Sequence, residues 1–380
     1  MRENPLLKLT SLGQSIWLDS LSRSMLDSGE ISRLIDQDGL GGITSNPSIF
    51  AKAMVESSDY DSAIHSLLQQ QRTANQIYEE LAIEDIRRTA DLLRPLYDKM
   101  EGNDGFVSLE VSPHLAFDTA DTVAEARHLW SRVDRPNVLI KVPGTVEGLV
   151  ALRQLIASGI NVNVTLLFSL PRYQAVAEAY MAGLEERAAA NLPLGNIASV
   201  ASFFLSRIDV MVDSLLTKKL QEGGRMADLA SMLVGKVAIA SAKTAYQIFK
   251  QIHGSERFRN LSAQGGRPQR VLWASTSTKN PAYSDVKYVE ALIGANTVNT
   301  LPMETLLAYR DHGNPELRLE EGLEEAGRVL QRLPEAGIDL DAVTRHLEQE
   351  GVEKFVEPFD KLIQMLEQKI AGRYEWTRGI

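Results

Sequence analysis

The sequence predicts a closed barrel of parallel strands, each followed by a helix, with additional helices and a helical tail. Three observations carry this. Eight short apolar segments recur along the chain with helical patterns between them, as expected for repeated strand–helix units. The clearest unit is Val138-Leu139-Ile140-Lys141-Val142, ended by Pro143-Gly144 and followed by a helical pattern over Val146–Ala157. Polar side chains collect at the C-terminal ends of the segments, where barrels of this kind carry their sites. An open doubly wound sheet is the structural alternative, because periodicity alone fits both.

The strands are expected at Ser15–Asp19, Gly41–Asn46, Val107–Val111, Val138–Val142, Val162–Phe168, Ile197–Phe204, Arg270–Ala274 and Thr297–Thr300. Reading their ends in order gives Asp19, then Thr44, Ser45 and Asn46, then Glu110, then Lys141. The fifth gives Asn163 and Thr165, which share a side-chain parity. The sixth gives Ser202, with Arg207 opening the next helix, and the seventh gives Ser275, with Lys279 shortly after. The eighth gives Asn299 and Thr300.

Between the strands, Ser169-Leu170-Pro171 reads as a cap with proline near the helix start, and Tyr173, Val176, Tyr180 and Leu184 then fall on one face. Ile208, Met211, Val212, Leu215, Leu216 and Leu220 form another apolar stripe. Two connections, about 47–106 and 205–269, are long enough for several helices. Gly254–Arg270 reads as an irregular loop, and Gly39-Leu40-Gly41-Gly42 as the turn into the second strand. The C-terminal extension, about 315–380, is helical and charged. Its last helix is expected to start near Pro358, with Phe359, Leu362, Ile363, Leu366 and Ile370 on one face covering the barrel's outside or mouth. No linker divides the chain, so residues 1–380 are read as one barrel domain with helical insertions.

Composition narrows the function. The formal net charge of −10 argues against non-specific nucleic-acid binding. No stretch is apolar enough for a membrane span, Met1–Gly13 has no signal-peptide pattern, and cysteine is absent. These features fit a cytoplasmic protein without disulfides or thiolate chemistry. The six histidines show no metal-ligand spacing, so no metal is expected. Walker A and Gly-x-Ser-x-Gly motifs are absent.

The chemistry centres on Lys141. Burial at a strand end disfavours the ammonium form and leaves a nucleophilic neutral amine; extending the stem into water is the alternative. Asn46 before proline could simply make a local turn, Thr165 is a good strand former, and Arg207 could pair with Asp209 or another acid. Taken together, one lysine, two carboxylates, two amides and several hydroxyls around a single ring point to a ligand. A cation such as Arg207 in the first turn of a helix opposes the macrodipole, and a bound anion reverses that sign. With Ser275 and Lys279 nearby, this reads as a phosphate site.

The chain resembles the transaldolases, specifically the longer bacterial type. The matching segments are Ile43-Thr44-Ser45-Asn46-Pro47-Ser48-Ile49-Phe50, Val107-Ser108-Leu109-Glu110-Val111, Leu139-Ile140-Lys141-Val142-Pro143-Gly144-Thr145, Asn161-Val162-Asn163-Val164-Thr165-Leu166-Leu167-Phe168-Ser169, and Leu272-Trp273-Ala274-Ser275-Thr276-Ser277-Thr278-Lys279-Asn280-Pro281. The resemblance implies a (β/α)8 TIM barrel. It implies cofactor-free, reversible transfer of a dihydroxyacetone unit in the non-oxidative pentose phosphate pathway. The donors would be sedoheptulose 7-phosphate and fructose 6-phosphate, and the acceptors glyceraldehyde 3-phosphate and erythrose 4-phosphate. Lys141 would form the Schiff base, Glu110 would act with Thr165 and a water, and Asp19 would take the C4 hydroxyl proton. Asn46, Asn163 and Ser202 would hold the dihydroxyacetone unit, Thr44 would also bind substrate, and Arg207, with Ser275 and Lys279, would hold the phosphate. The shorter relatives carry an arginine where this chain offers Lys279, a point charge without arginine's fork. A free aldolase releasing dihydroxyacetone and a non-catalytic sugar-phosphate-binding barrel are the alternative readings.

Overall fold

The computed structural model describes residues 4–372. The strands are β1 (Gln14–Leu18), β2 (Leu40–Ile43), β3 (Phe106–Glu110), β4 (Val138–Pro143), β5 (Val162–Leu167), β6 (Ser199–Phe204), β7 (Arg270–Ala274) and β8 (Thr297–Leu301). Neighbours in sequence pair in parallel and β8 returns to β1, which closes the barrel. Closure excludes the open-sheet alternative and leaves no free edge. The strands are buried almost throughout, as expected when helices cover the outside of a parallel sheet.

Local sequence explains most helix starts. Ser169 accepts from the Arg172 amide, and Thr145 accepts from the Gly148 amide, so each caps the helix that follows its strand. Asn46 caps the Pro47–Glu56 helix by accepting from the Ile49 amide at 3.0 Å. Gly42 lies inside β2 rather than in a turn before it. A Cβ there would stand 2.7 Å from the Trp17 indole, so the glycine lets β1 and β2 approach.

Two expectations are corrected. Glu256–Ser262 is a helix, not loop, because Ser255 caps it and Phe258 and Leu261 bury against the core. The last helix does not start at Pro358; it runs from Leu340 to Ile370 with Asp339 as its cap and the proline inside it. An interior proline costs about 3 kcal/mol in a helix. Here Leu347, Phe355, Phe359, Leu362 and Leu366 are all buried along one side, and that packing outweighs the interruption. The helix packs against the Pro47–Glu56 and Ala74–Lys99 helices and against β5, so it crosses the C-terminal mouth of the barrel. No described helix is long and apolar enough to cross a membrane.

Candidate active site

Strand register assembles the centre of the site. Glu110 at the end of β3 lies opposite Lys141 on β4, and Lys141 lies opposite Asn163 on β5. All three side chains therefore point into the barrel. Lys141 Nζ stands 3.2 Å from Glu110 Oε2 and donates to the Ser45 carbonyl at 3.0 Å. The lysine and the glutamate are 4 % and 7 % exposed, so this is an internal ion pair. Burial raises the Glu110 pKa above the usual carboxylate range, and the neighbouring ammonium only partly opposes it. The Phe355 ring lies over the amine, 5.9 Å from Nζ to its centroid.

Above this pair a pocket of about 150 Å³ opens at the barrel mouth. Asp19, Thr44, Asn46, Lys141, Thr165, Ser202, Arg207, Ser275 and Lys279 all line it. Asp19 accepts from Thr44 Oγ1 at 2.7 Å, and that hydroxyl also meets Thr300 Oγ1 at 2.8 Å. The Asp19 carboxyl keeps some exposure to the pocket, yet desolvation still raises its pKa, with Lys141 pulling in the opposite direction. Two carboxylates of raised pKa thus flank one amine.

The sugar-binding candidates divide by depth. Thr165 Oγ1 is buried and has no hydrogen-bond partner, so it is free to serve a ligand. Asn163 lies one layer deeper and does not line the pocket. Its amide donates to Ser108 Oγ at 3.1 Å, and its oxygen accepts from Ser202 Oγ at 2.7 Å. In this arrangement Asn163 orients Ser202. Just beyond Thr165, Leu166 has φ 62°, and the β5–β6 register shifts there. A non-glycine residue in that region stores strain at the site.

Arg207 opens the Ser206–Glu222 helix and does not pair with Asp209. Asp209 is occupied by Lys287, Tyr288 and the Ala238 amide. Arg207 Nη1 is buried without a hydrogen-bond partner, and its guanidinium sits 5.5 Å from the Phe204 centroid. Burial lowers its pKa, although Glu350 and Asp19 oppose the shift. A desolvated cation with a free donor is prepared for an anion. Ser275 sits beside it with φ 55° and pairs with Ser206 at 2.8 Å. Lys279 is exposed and donates to Ser277 Oγ at 2.7 Å.

A model of the Transaldolase/Fructose-6-phosphate aldolase family matches residues 16–366. The chain belongs to the transaldolase/fructose-6-phosphate aldolase family. It is 48% identical to a transaldolase of Trichodesmium erythraeum over 97% of this chain and 98% of that one. It is equally 48% identical to a transaldolase of Thiobacillus denitrificans, over 94% and 98%. A transaldolase of Mycolicibacterium smegmatis is 43% identical over 96% and 97%. This likeness extends through the C-terminal helix, so the family match includes the element that covers the mouth.

Among the lining residues that the sequence reading did not single out are Phe204, Ser277 and Phe355. The first two had a usable signal. Phe204 shares parity with Ser202 on β6, and Ser277 lies two residues beyond Ser275. Phe355 arrives from the far end of the chain. Its clue was its i,i+4 relation to Phe359 on the apolar face of the last helix.

Proposed function

We propose that the protein is a cytoplasmic transaldolase, acting as one barrel unit, that moves a dihydroxyacetone unit reversibly from a ketose phosphate to an aldose phosphate. Sedoheptulose 7-phosphate and fructose 6-phosphate are the donors in this reading. The observation that carries it is the buried Lys141–Glu110 pair beneath a mouth walled by Asp19 and Arg207.

The roles follow from position. Arg207 holds the phosphate, with Ser275 beside it and Lys279 as an outer charge. Lys141 passes a proton to Glu110, the neutral amine adds to the donor's C2, one of its protons moves to the C2 oxygen, and Glu110, whose raised pKa lets it carry a proton, delivers the second to that oxygen as it departs. Thr165 Oγ1 helps hold that oxygen as it leaves as water. The protonated imine is an electron sink. Asp19 takes the C4 hydroxyl proton, the C3–C4 bond breaks, and its electrons enter the imine to leave an enamine. The aldose phosphate departs while Thr44, Asn46 and Ser202 retain the three-carbon fragment. A new aldehyde is then attacked by the enamine carbon, Asp19 returns its proton, and hydrolysis frees Lys141.

Borohydride trapping with fructose 6-phosphate, followed by peptide mapping, tests this reading. A dihydroxyacetone-sized adduct on Lys141 is expected. An adduct on another lysine, or none, sinks the assignment. The family description also names fructose-6-phosphate aldolase; release of dihydroxyacetone equally fast with and without an aldose phosphate acceptor would favour that activity.

A further inference from the structure

Glu110 faces two spaces. On one side it meets Lys141. On the other it forms part of the wall of a second cavity of about 330 Å³ on the flank of the barrel. This cavity lies between the Ala74–Lys99, Thr119–Val133 and C-terminal helices. Leu109 and Glu110 of β3 line it together with Tyr78, Ala82, Glu125 and Ile363. At its rim His114 and Asp360, both exposed, are 2.6 Å apart. Among the described residues, Glu110 Oε2 is buried, lies 3.2 Å from Lys141 Nζ and has no other polar partner. None of Tyr78, Ala82, Glu125 or Ile363 has a part in the transfer.

The reaction needs a second door. When the amine adds to C2, the C2 oxygen leaves with two protons as water and the C2=N bond forms; hydrolysis runs this in reverse. During both steps a sugar phosphate fills the mouth pocket of about 150 Å³ under the C-terminal helix. Water must then pass elsewhere. The flank cavity is roomy and lined with polar groups, as a water site requires. Desolvation and the charges of Glu110 and Glu125 raise the Tyr78 pKa, which keeps the phenol protonated as a hydrogen-bond donor on this wall. Burial likewise raises the Glu125 pKa, while the Ser112 amide donates to its carboxylate at 2.9 Å.

We propose that the flank cavity is the water port of the imine: water expelled at C2 leaves past Glu110 into it, and hydrolytic water enters the same way. The inference rests on the Schiff-base reading of Lys141. The test uses fructose 6-phosphate carrying oxygen-18 at C2, in ordinary water. Imine formation is followed by borohydride trapping and label loss by mass spectrometry. Ala82→Met fills the cavity from its inner wall. Ile363→Trp fills it from the half-exposed rim, and neither residue lines the mouth pocket.

In a filled variant that melts like the parent, imine should still form at the parental rate. Label loss per imine should fall by about tenfold or more, because the confined water returns to the same carbon. Parental label loss per imine in such a variant overturns the port. Failure of the unsubstituted enzyme to form any Lys141 adduct overturns the Schiff-base reading itself, and the two failures are thereby distinct.

Discussion

Lys141 and Glu110 are directly opposed on adjacent strands, and their charged atoms meet 3.2 Å apart with almost no exposure. Removing one partner of such a pair strands the other charge, typically at about 3–5 kcal/mol. Lys141→Met should therefore abolish turnover and adduct formation and also lower the melting temperature at mildly alkaline pH. The sign with pH follows from Glu110, whose pKa burial raises in the folded state. The folded form then binds the proton more readily than the unfolded chain, so stability returns as pH falls through the folded pKa. Calorimetry of Lys141→Met at acidic and alkaline pH checks this. The double variant with Glu110→Gln should lose the pH dependence.

In the proposed mechanism Asp19 acts after imine formation, at bond cleavage. Asp19→Asn keeps the contact with Thr44 but cannot accept the C4 proton. Borohydride should then trap the whole ketose phosphate on Lys141 rather than a three-carbon fragment, with transfer slowed by about 10²–10⁴-fold. For that role the carboxylate must be ionised, and burial raises its pKa. Activity should rise with pH through a value above the ordinary carboxylate range, and that limb should be absent from the residual activity of Asp19→Asn. An unchanged limb would assign it to another group.

The barrel and most of the site were legible because both depend on local signals. Strand ends could be read from short apolar runs with their turn residues, and the parity of Asn163 and Thr165 followed from the two-residue strand repeat. What local sequence hid was depth and reach. Parity places Asn163 inside the barrel but does not say that Ser108 and Ser202 already engage it beneath the pocket. Pro358 reads as a helix start, and only long-range packing reveals a continuous helix from Leu340. The contact of Phe355 with Lys141 spans most of the chain, so no local pattern encodes it.

Arg207 and Lys279 should differ as phosphate ligands. Arg207 presents a buried donor with no partner, whereas Lys279 is exposed and already bonded to Ser277. Exposed charges contribute about 0–1 kcal/mol, and buried charge-assisted hydrogen bonds about 1.5–3 kcal/mol. Arg207→Ala should thus raise KM for fructose 6-phosphate by about ten- to a hundredfold at 1.4 kcal/mol per decade. Lys279→Met should raise it only a fewfold. With unphosphorylated fructose both variants should match the parent; a loss there would mean that Arg207 holds the fold rather than the phosphate.

Phe355 should govern the fate of the enamine. Its ring is 5 % exposed, forms part of the mouth pocket and covers the Lys141 amine from the C-terminal helix. One turn earlier Gly351 lets that helix close on the end of β5, since a Cβ there would already be 3.0 Å from Leu166. Once the aldose phosphate has left, the enamine is lost if a solvent proton reaches its nucleophilic carbon, after which the imine hydrolyses and dihydroxyacetone escapes. Phe355→Ala opens that route at a stability cost of about 3–5 kcal/mol. The ratio of dihydroxyacetone release to transfer, measured with saturating acceptor, should rise by about tenfold, while Phe355→Leu, which restores most of the apolar cover, should lie near the parent. A purely structural role would lower both activities together and leave their ratio fixed.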